Sequence, residues 1–414
     1  MKYRIILALI LVAIFSGAAC QGCKNTSADT EDPLKKMARQ RYAEGRRLFL
    51  TCDPNNFPAA LKAYEDALSS WDDYPEALAS WAETVSMWYG FRMSQEIFEQ
   101  AYVRAQRAIR LAPDNDMGYR AMADLFRHYH DPETGKLAND EAMKSIERAL
   151  SINPNSAENL YVKGSIMLAS DPEGAIKVFE QALRLNRDLA KIYFNLASAY
   201  QMVGDKVVYG PKDPDPAKQA EREKAADANY LKAIKLLGIY QHMVPDDLGG
   251  YTSLATIYLH QKNYVEAEKA LQQAVSQNLT PDPSQTQWRG QAYVYLAQIA
   301  DQYHHDLKLS RTYLERALNA NPYDPQIYQQ LIRIAEIQKD SAGASQYEQQ
   351  YKDMAAKVHA EMAAQQGSTV EAEEGATAEP EAGGTASPAP AAGTTTAAGQ
   401  PAAAPGATAG PTTP

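Results

Sequence analysis

AENLYVKGSIMLASDPEGAIKVFEQALRLNRDLA, residues 157–190, holds the pattern that decides the fold. Leu160, Lys163, Gly164 and Met167 recur at three- and four-residue spacing, and so do Ala175, Phe179 and Ala182. Each set falls on one helix face, and Asp171-Pro172 breaks the chain between them. The stretch reads as two antiparallel helices. Gly164, Ala175 and Ala182 are small where the two must approach, while Leu160 and Phe179 fill the gaps.

The same frame recurs in both directions. Tyr193-x2-Leu196-Ala197-x2-Tyr200 opens the next unit, which Tyr230-x2-Ala233 closes after an insertion. Tyr251-x2-Leu254-Ala255-x2-Tyr258 with Ala267-x3-Leu271-x2-Ala274 is another full unit. Upstream, Leu78-x2-Trp81-Ala82-x2-Val85 and Tyr119-x2-Met122-Ala123-x2-Phe126 open two more, and Ala60-x3-Tyr64-x2-Ala67 belongs to a degenerate first unit. Downstream, Tyr293-x2-Leu296-Ala297 leads to Ala317, and Tyr328-x2-Leu331 with Ala344 gives a last, weaker unit. Pro113, Pro154 and Pro322 follow three of the second helices and fix where the chain turns, because proline cannot continue a helix.

Eight such units in one register over residues 33–366 resemble the tetratricopeptide repeat (TPR), a 34-residue helix–turn–helix unit that stacks into a superhelix. The resemblance implies an all-α, right-handed superhelical solenoid of antiparallel helix pairs. Arg187 and Gly238 depart from it at the usual proline site, and Lys163 replaces a leucine. Tyr347, Tyr351 and Met354 continue a helix to about Gln366, which is expected to cap the stack.

The N-terminus reads as an export signal over residues 1–19. Lys2 and Arg4 are followed by an unbroken apolar run from Ile5 to Phe15, then by Ser16, Gly17, Ala18 and Ala19. The run falls short of the roughly 20 residues a membrane span needs. Gly17-Ala18-Ala19-Cys20 resembles a bacterial lipobox, which implies lipidation of Cys20 and a tether over residues 20–32; Gly17 departs from the usual aliphatic residue. Plain secretion, leaving a soluble or periplasmic protein, is the alternative. Gln21 beside the anchor resembles lipoproteins directed to the outer membrane. Cys23 and Cys52 either pair in the oxidising envelope or stay as separate thiols.

Hydrophobic residues make up 45% of the 414-residue chain, enough for a core. The net charge is −10, and six glutamates after Lys357, with no lysine or arginine among them, supply more than half of it. The rest is close to neutral, which argues against nucleic acid as a partner. Residues 367–414, rich in alanine, proline, threonine, glycine and glutamate, lack the large apolar side chains that offset ordering entropy and are expected to be disordered.

In the family that the repeats resemble, first helices line a concave groove that holds peptides. Carried over, the inward sites are Arg120, Asp124 and Arg127 in the third unit and Tyr161, Ser165 and Leu168 in the fourth. Lys191, Phe194, Asn195, Ser198 and Gln201 follow in the fifth, and Thr252, Ser253 and Thr256 in the sixth. Asn195 stands where relatives use asparagine to hold a peptide backbone; its amide donates and accepts at once. The lysine–asparagine arrangement that captures a C-terminal carboxylate in some relatives is absent.

The insertion, about residues 206–220, is a second candidate; its Asp213 and Asp215 fall short of a calcium loop. His128-Tyr129-His130-Asp131 and His304-His305-Asp306 are the histidine clusters. A metal-dependent enzyme using them is the rival reading, and a spacer without a specific ligand a third. No phosphate loop or nucleophile elbow is present. Signal, repeats and tail leave no segment for a catalytic domain, so no enzyme activity and no cofactor are expected. The sequence points to an envelope-anchored scaffold binding a protein or peptide in its concave groove, with a role in assembling an envelope complex.

Overall fold

The computed structural model describes residues 32–90, 93–130, 135–277 and 283–375. The export segment, Cys20, Cys23 and the tail beyond Gly375 lie outside these residues. Within them are sixteen α-helices, arranged as eight successive pairs, and no strand.

The pairs are α1 (Pro33–Leu50) with α2 (Phe57–Ser70), α3 (Pro75–Tyr89) with α4 (Gln95–Leu111), and α5 (Asp116–Phe126) with α6 (Asn139–Ile152). Then come α7 (Ala157–Met167) with α8 (Pro172–Leu185), and α9 (Ala190–Val208) with α10 (Pro216–Met243). The last three are α11 (Leu248–His260) with α12 (Tyr264–Ser276), α13 (Pro283–Gln302) with α14 (Leu307–Ala320), and α15 (Pro325–Ile337) with α16 (Ser341–Gly375).

The helix starts are set by side-chain caps. Ser94, Asn115, Ser156, Asp171, Asp247 and Asp324 each accept a hydrogen bond from a first-turn N–H that the helix itself leaves unpaired. The ends follow proline. α4, α6 and α14 stop at Leu111, Ile152 and Ala320, just ahead of Pro113, Pro154 and Pro322. The fifth unit differs: Gly238, at the expected boundary, lies inside α10, which runs on to Met243 and stops ahead of Pro245.

In the first, fourth and fifth pairs the core is a small residue against a ring. A Cβ on Gly45 would meet the Tyr64 ring at 2.6 Å, and one on Gly164 the Phe179 ring at 2.6 Å. In the fifth unit the same approach falls on Gly204 against Tyr230, at 2.8 Å. Gly204 is seven residues, two turns, beyond the register position of Ala197. The insertion has therefore lengthened both helices of this unit, and much of it is helix and not loop. Asp215 caps α10 and Asp213 accepts from the Asp215 N–H, so both carboxylates serve the turn.

α16 is at once the second helix of the eighth unit and the end of the stack. It continues to Gly375, past the boundary expected near Gln366.

Candidate interaction surface

The residue that follows the register position of Gly164, which is Gly45, Ala82, Ala123, Ala197, Ala255, Ala297 and Ile332 in the other units, lies on the inner face of the superhelix. In chain order these are Arg46, Glu83, Asp124, Ser165, Ser198, Thr256, Gln298 and Arg333. The first three are charged and the next three carry hydroxyls. That change coincides with a change in geometry.

In units one to five the inner face closes on itself. Arg46 of α1 reaches across to Glu158 of α7, 2.6 Å from Nη2 to Oε1, and its Nη1 lies 3.5 Å from Glu83. Arg120 of α5 donates to both oxygens of Glu83 at 3.2 Å and lies 2.8 Å from Glu158. Lys191 of α9 approaches Glu83 at 3.8 Å and lies over the rings of Phe49 and Tyr161, at 5.0 and 4.5 Å. Glu83 is only 2% exposed and Arg120 3%.

Burial alone would push the Glu83 carboxyl up, but the charges of Arg120, Lys191 and Arg46 outweigh it and hold the group at about 2. Burial likewise opposes the Lys191 ammonium, and Glu83, Tyr161 and Glu158 together outweigh it and raise its pKa. One turn beyond Phe49, Cys52 packs against Ala190, Tyr193, Tyr240 and Val244 of the fifth unit. Its thiol is pushed up by burial.

This closure corrects part of the groove read from the sequence. Arg120, Asp124, Tyr161 and Lys191 are buried, Arg120 and Lys191 against Glu83 of the second unit. Arg127 is held by Asp124 at 2.6 Å. Thr252 is buried and its hydroxyl donates to the Leu248 carbonyl of its own helix. Tightening of the superhelix covers positions that a wider one leaves open. Arg46, Glu83 and Glu158 were missed; the signal was opposite charge at one register position in successive units.

The later turns of α7 and α9, and the units after them, leave the inner face open. Ser165, Phe194, Asn195, Ser198, Gln201, Ser253 and Thr256 are all partly exposed, as is Leu168. Asn195 Nδ2 donates to Ser165 Oγ at 2.9 Å, which fixes the amide plane. Ser165, Ser198 and Thr256 donate to carbonyls one turn back, leaving each oxygen able to accept. Phe194 leans on Tyr240, ring centres 5.2 Å apart. Gln298 continues the row, and Arg333 pairs with Asp301 at 2.5 Å.

A hinge-like contact joins the lengthened fifth unit to the sixth. Asp205 accepts from Tyr230 Oη at 2.6 Å and lies 2.7 Å from His260 Nδ1, while the exposed Tyr209 ring stands edge-on to His260. The histidine clusters do not converge. His128 is buried with Nδ1 3.0 Å from Ser86 Oγ, and burial, with the Arg127 charge, pushes its pKa well below 6.5. His304 meets Glu268 at 3.0 Å, and His305 sits in a left-handed turn. Among the described residues no group of three or more histidine, cysteine or acidic side chains is placed to hold a metal ion.

Two segments match models of the repeat: residues 171–204 match a TPR repeat and residues 248–280 a tetratricopeptide repeat. No curated protein matches the chain. Among solved structures, the human IFIT1 dimer with m7Gppp-AAAA is similar at a TM-score of 0.56 and 16% identity, over 77% of this chain and 72% of that one. The Cut9–Hcn1 hetero-tetramer of the APC/C is similar at 0.54 and 13%, over 78% of this chain and 54% of that one. At such identities the likeness is one of fold. Eight stacked helix pairs in one register, two of them matching the repeat models, make the chain a tetratricopeptide-repeat protein.

Proposed function

We propose that the protein is a non-catalytic scaffold of a bacterial envelope, tethered through a lipid on Cys20, which holds an extended segment of a partner protein along the inner face of units four to eight. The observation that carries this reading is the switch along one register, from Arg46, Glu83 and Asp124 to Ser165, Ser198 and Thr256. Charged residues held in ion pairs close one half; neutral, partly exposed groups line the other as far as Gln298. Hydroxyls and amides on a rigid face suit a peptide backbone, which presents both donors and acceptors. Asn195, fixed by Ser165, retains its Oδ1 and one N–H for such a chain.

The tether rests on residues 16–20, and an outer-membrane location on Gln21 beside the anchor. A role in assembling an envelope complex follows from a scaffold held at that surface. The test is pull-down from cells, comparing the native chain with Asn195→Ala/Ser198→Ala/Thr256→Ala. Loss of a partner from this folded variant supports the reading. An unchanged partner set sinks it and leaves a spacer in its place.

A further inference from the structure

We infer that the first three turns of α1, together with Trp71, form a surface that seats on an anionic phospholipid bilayer. From Pro33 to Ala43 the helix carries Lys35, Lys36, Arg39 and Arg41 and no acidic residue. All four are exposed, and between them Leu34 and Met37 stand 54% and 44% exposed. Lys35 and Arg39 lie over the Trp71 indole at 4.9 and 5.9 Å, and Trp71 stacks on Tyr74 at 4.5 Å. Basic and exposed aliphatic side chains on the start of α1, with the indole that follows α2 beside them, are the combination that settles at the headgroup level of a membrane.

Nearby carboxylates are already engaged. Asp32 caps its own helix at the Leu34 N–H, Glu44 pairs with Arg41 at 3.1 Å, and Asp72 and Asp73 are both taken by Arg107. Arg41 is thereby balanced by Glu44, while Lys35, Lys36 and Arg39 outnumber Asp32 and keep the patch positive, in a chain whose net charge is −10. Its position fits the occupant. The apolar run Ile5–Phe15 lies upstream in the same chain, and Cys20 stands twelve residues before Asp32, within roughly 40 Å of extended chain. Among the described residues no helix is long and apolar enough to cross a membrane, so the contact is with its surface.

The inference uses the proposed tether only to say which surface is met. It is tested without it, on a chain lacking residues 1–19 and carrying Cys20→Ser, which keeps every contact described above. Co-sedimentation is measured with vesicles of phosphatidylcholine alone and with one-third phosphatidylglycerol. Binding to the anionic vesicles is expected, with loss as salt rises. Lys35→Gln/Lys36→Gln/Arg41→Gln should lower the partition on the order of 100-fold. Leu34→Ser/Met37→Ser should lower it while leaving the salt dependence in place.

Equal binding to neutral vesicles, no binding by the native chain, or undiminished binding by the triple variant with unchanged circular dichroism overturns the inference. So does binding to a polyanion such as heparin without binding to lipid. Incorporation of labelled fatty acid at Cys20 in cells reports on the tether alone, so the two ideas fail separately.

Discussion

Arg46 and Glu158 stand 112 positions apart in the chain, yet their side chains meet at 2.6 Å across the axis of the superhelix. Two whole units, the second and third, lie between them. The contact therefore measures how tightly the first half is wound, and it is the outer edge of a charge cluster with Glu83 at its centre.

Removing the central carboxylate should open that half. Glu83→Ala leaves Arg120, Lys191 and Arg46 buried with less compensation, and a cost of about 3–5 kcal/mol is expected. Trp71, Trp81 and Trp88 report on the first half and Trp288 on the seventh unit. Denaturation followed with Trp288→Phe present in both proteins should show an earlier transition in the Glu83 variant. An unshifted transition would mean that the cluster holds nothing together.

Acid should loosen the same half in two steps of the same sign. His128 is buried with its pKa depressed below 6.5, so the unfolded chain takes up a proton first as pH falls through that value. Glu83 has a folded pKa of about 2, so its contribution is whole above the ordinary carboxylate range and fades as pH drops from about 4.5 toward 2. Denaturation midpoints at pH 7.5 and pH 5 should therefore differ, and His128→Gln should shrink that difference. A midpoint that rises on acidification contradicts this account.

Two glycines should respond oppositely to alanine. Gly164→Ala drives a methyl to 2.6 Å from the Phe179 ring and should cost about 1–3 kcal/mol. Gly238→Ala meets nothing within 4 Å inside α10 and should stabilise by about 0.4–1 kcal/mol. Melting curves of the two variants check the pair; a loss at Gly238 as large as at Gly164 would remove the packing argument.

The fold was legible because its determinants are local. Gly164 and Phe179 sit fifteen residues apart in one unit, and the period that sets them together repeats openly along the chain. Proline marked the ends of α4, α6 and α14; Gly238 misled because the fifth unit is two turns longer and its packing moved from Ala197 to Gly204. The closed inner face was not legible in the same way. Whether Arg120 meets water or Glu158 depends on a small rotation per unit, summed over several units, and no local spacing records that sum. Its trace was the opposite charge of Arg46 and Glu83 at one register position, where the two side chains lie 3.5 Å apart. Ser198 and Thr256, read from the sequence as inward positions, are partly exposed.

The most direct test of the scaffold reading is site-specific photocrosslinking in cells. A photoreactive residue is placed in turn at Ser198, Thr256 and Gln298 on the open inner face, and at Val103, Leu231 and Val265, which are exposed on second helices. The account predicts adducts to a partner protein from the first three positions and none from the second three. Adducts confined to the second-helix positions, or none from Ser198, Thr256 and Gln298, would contradict it.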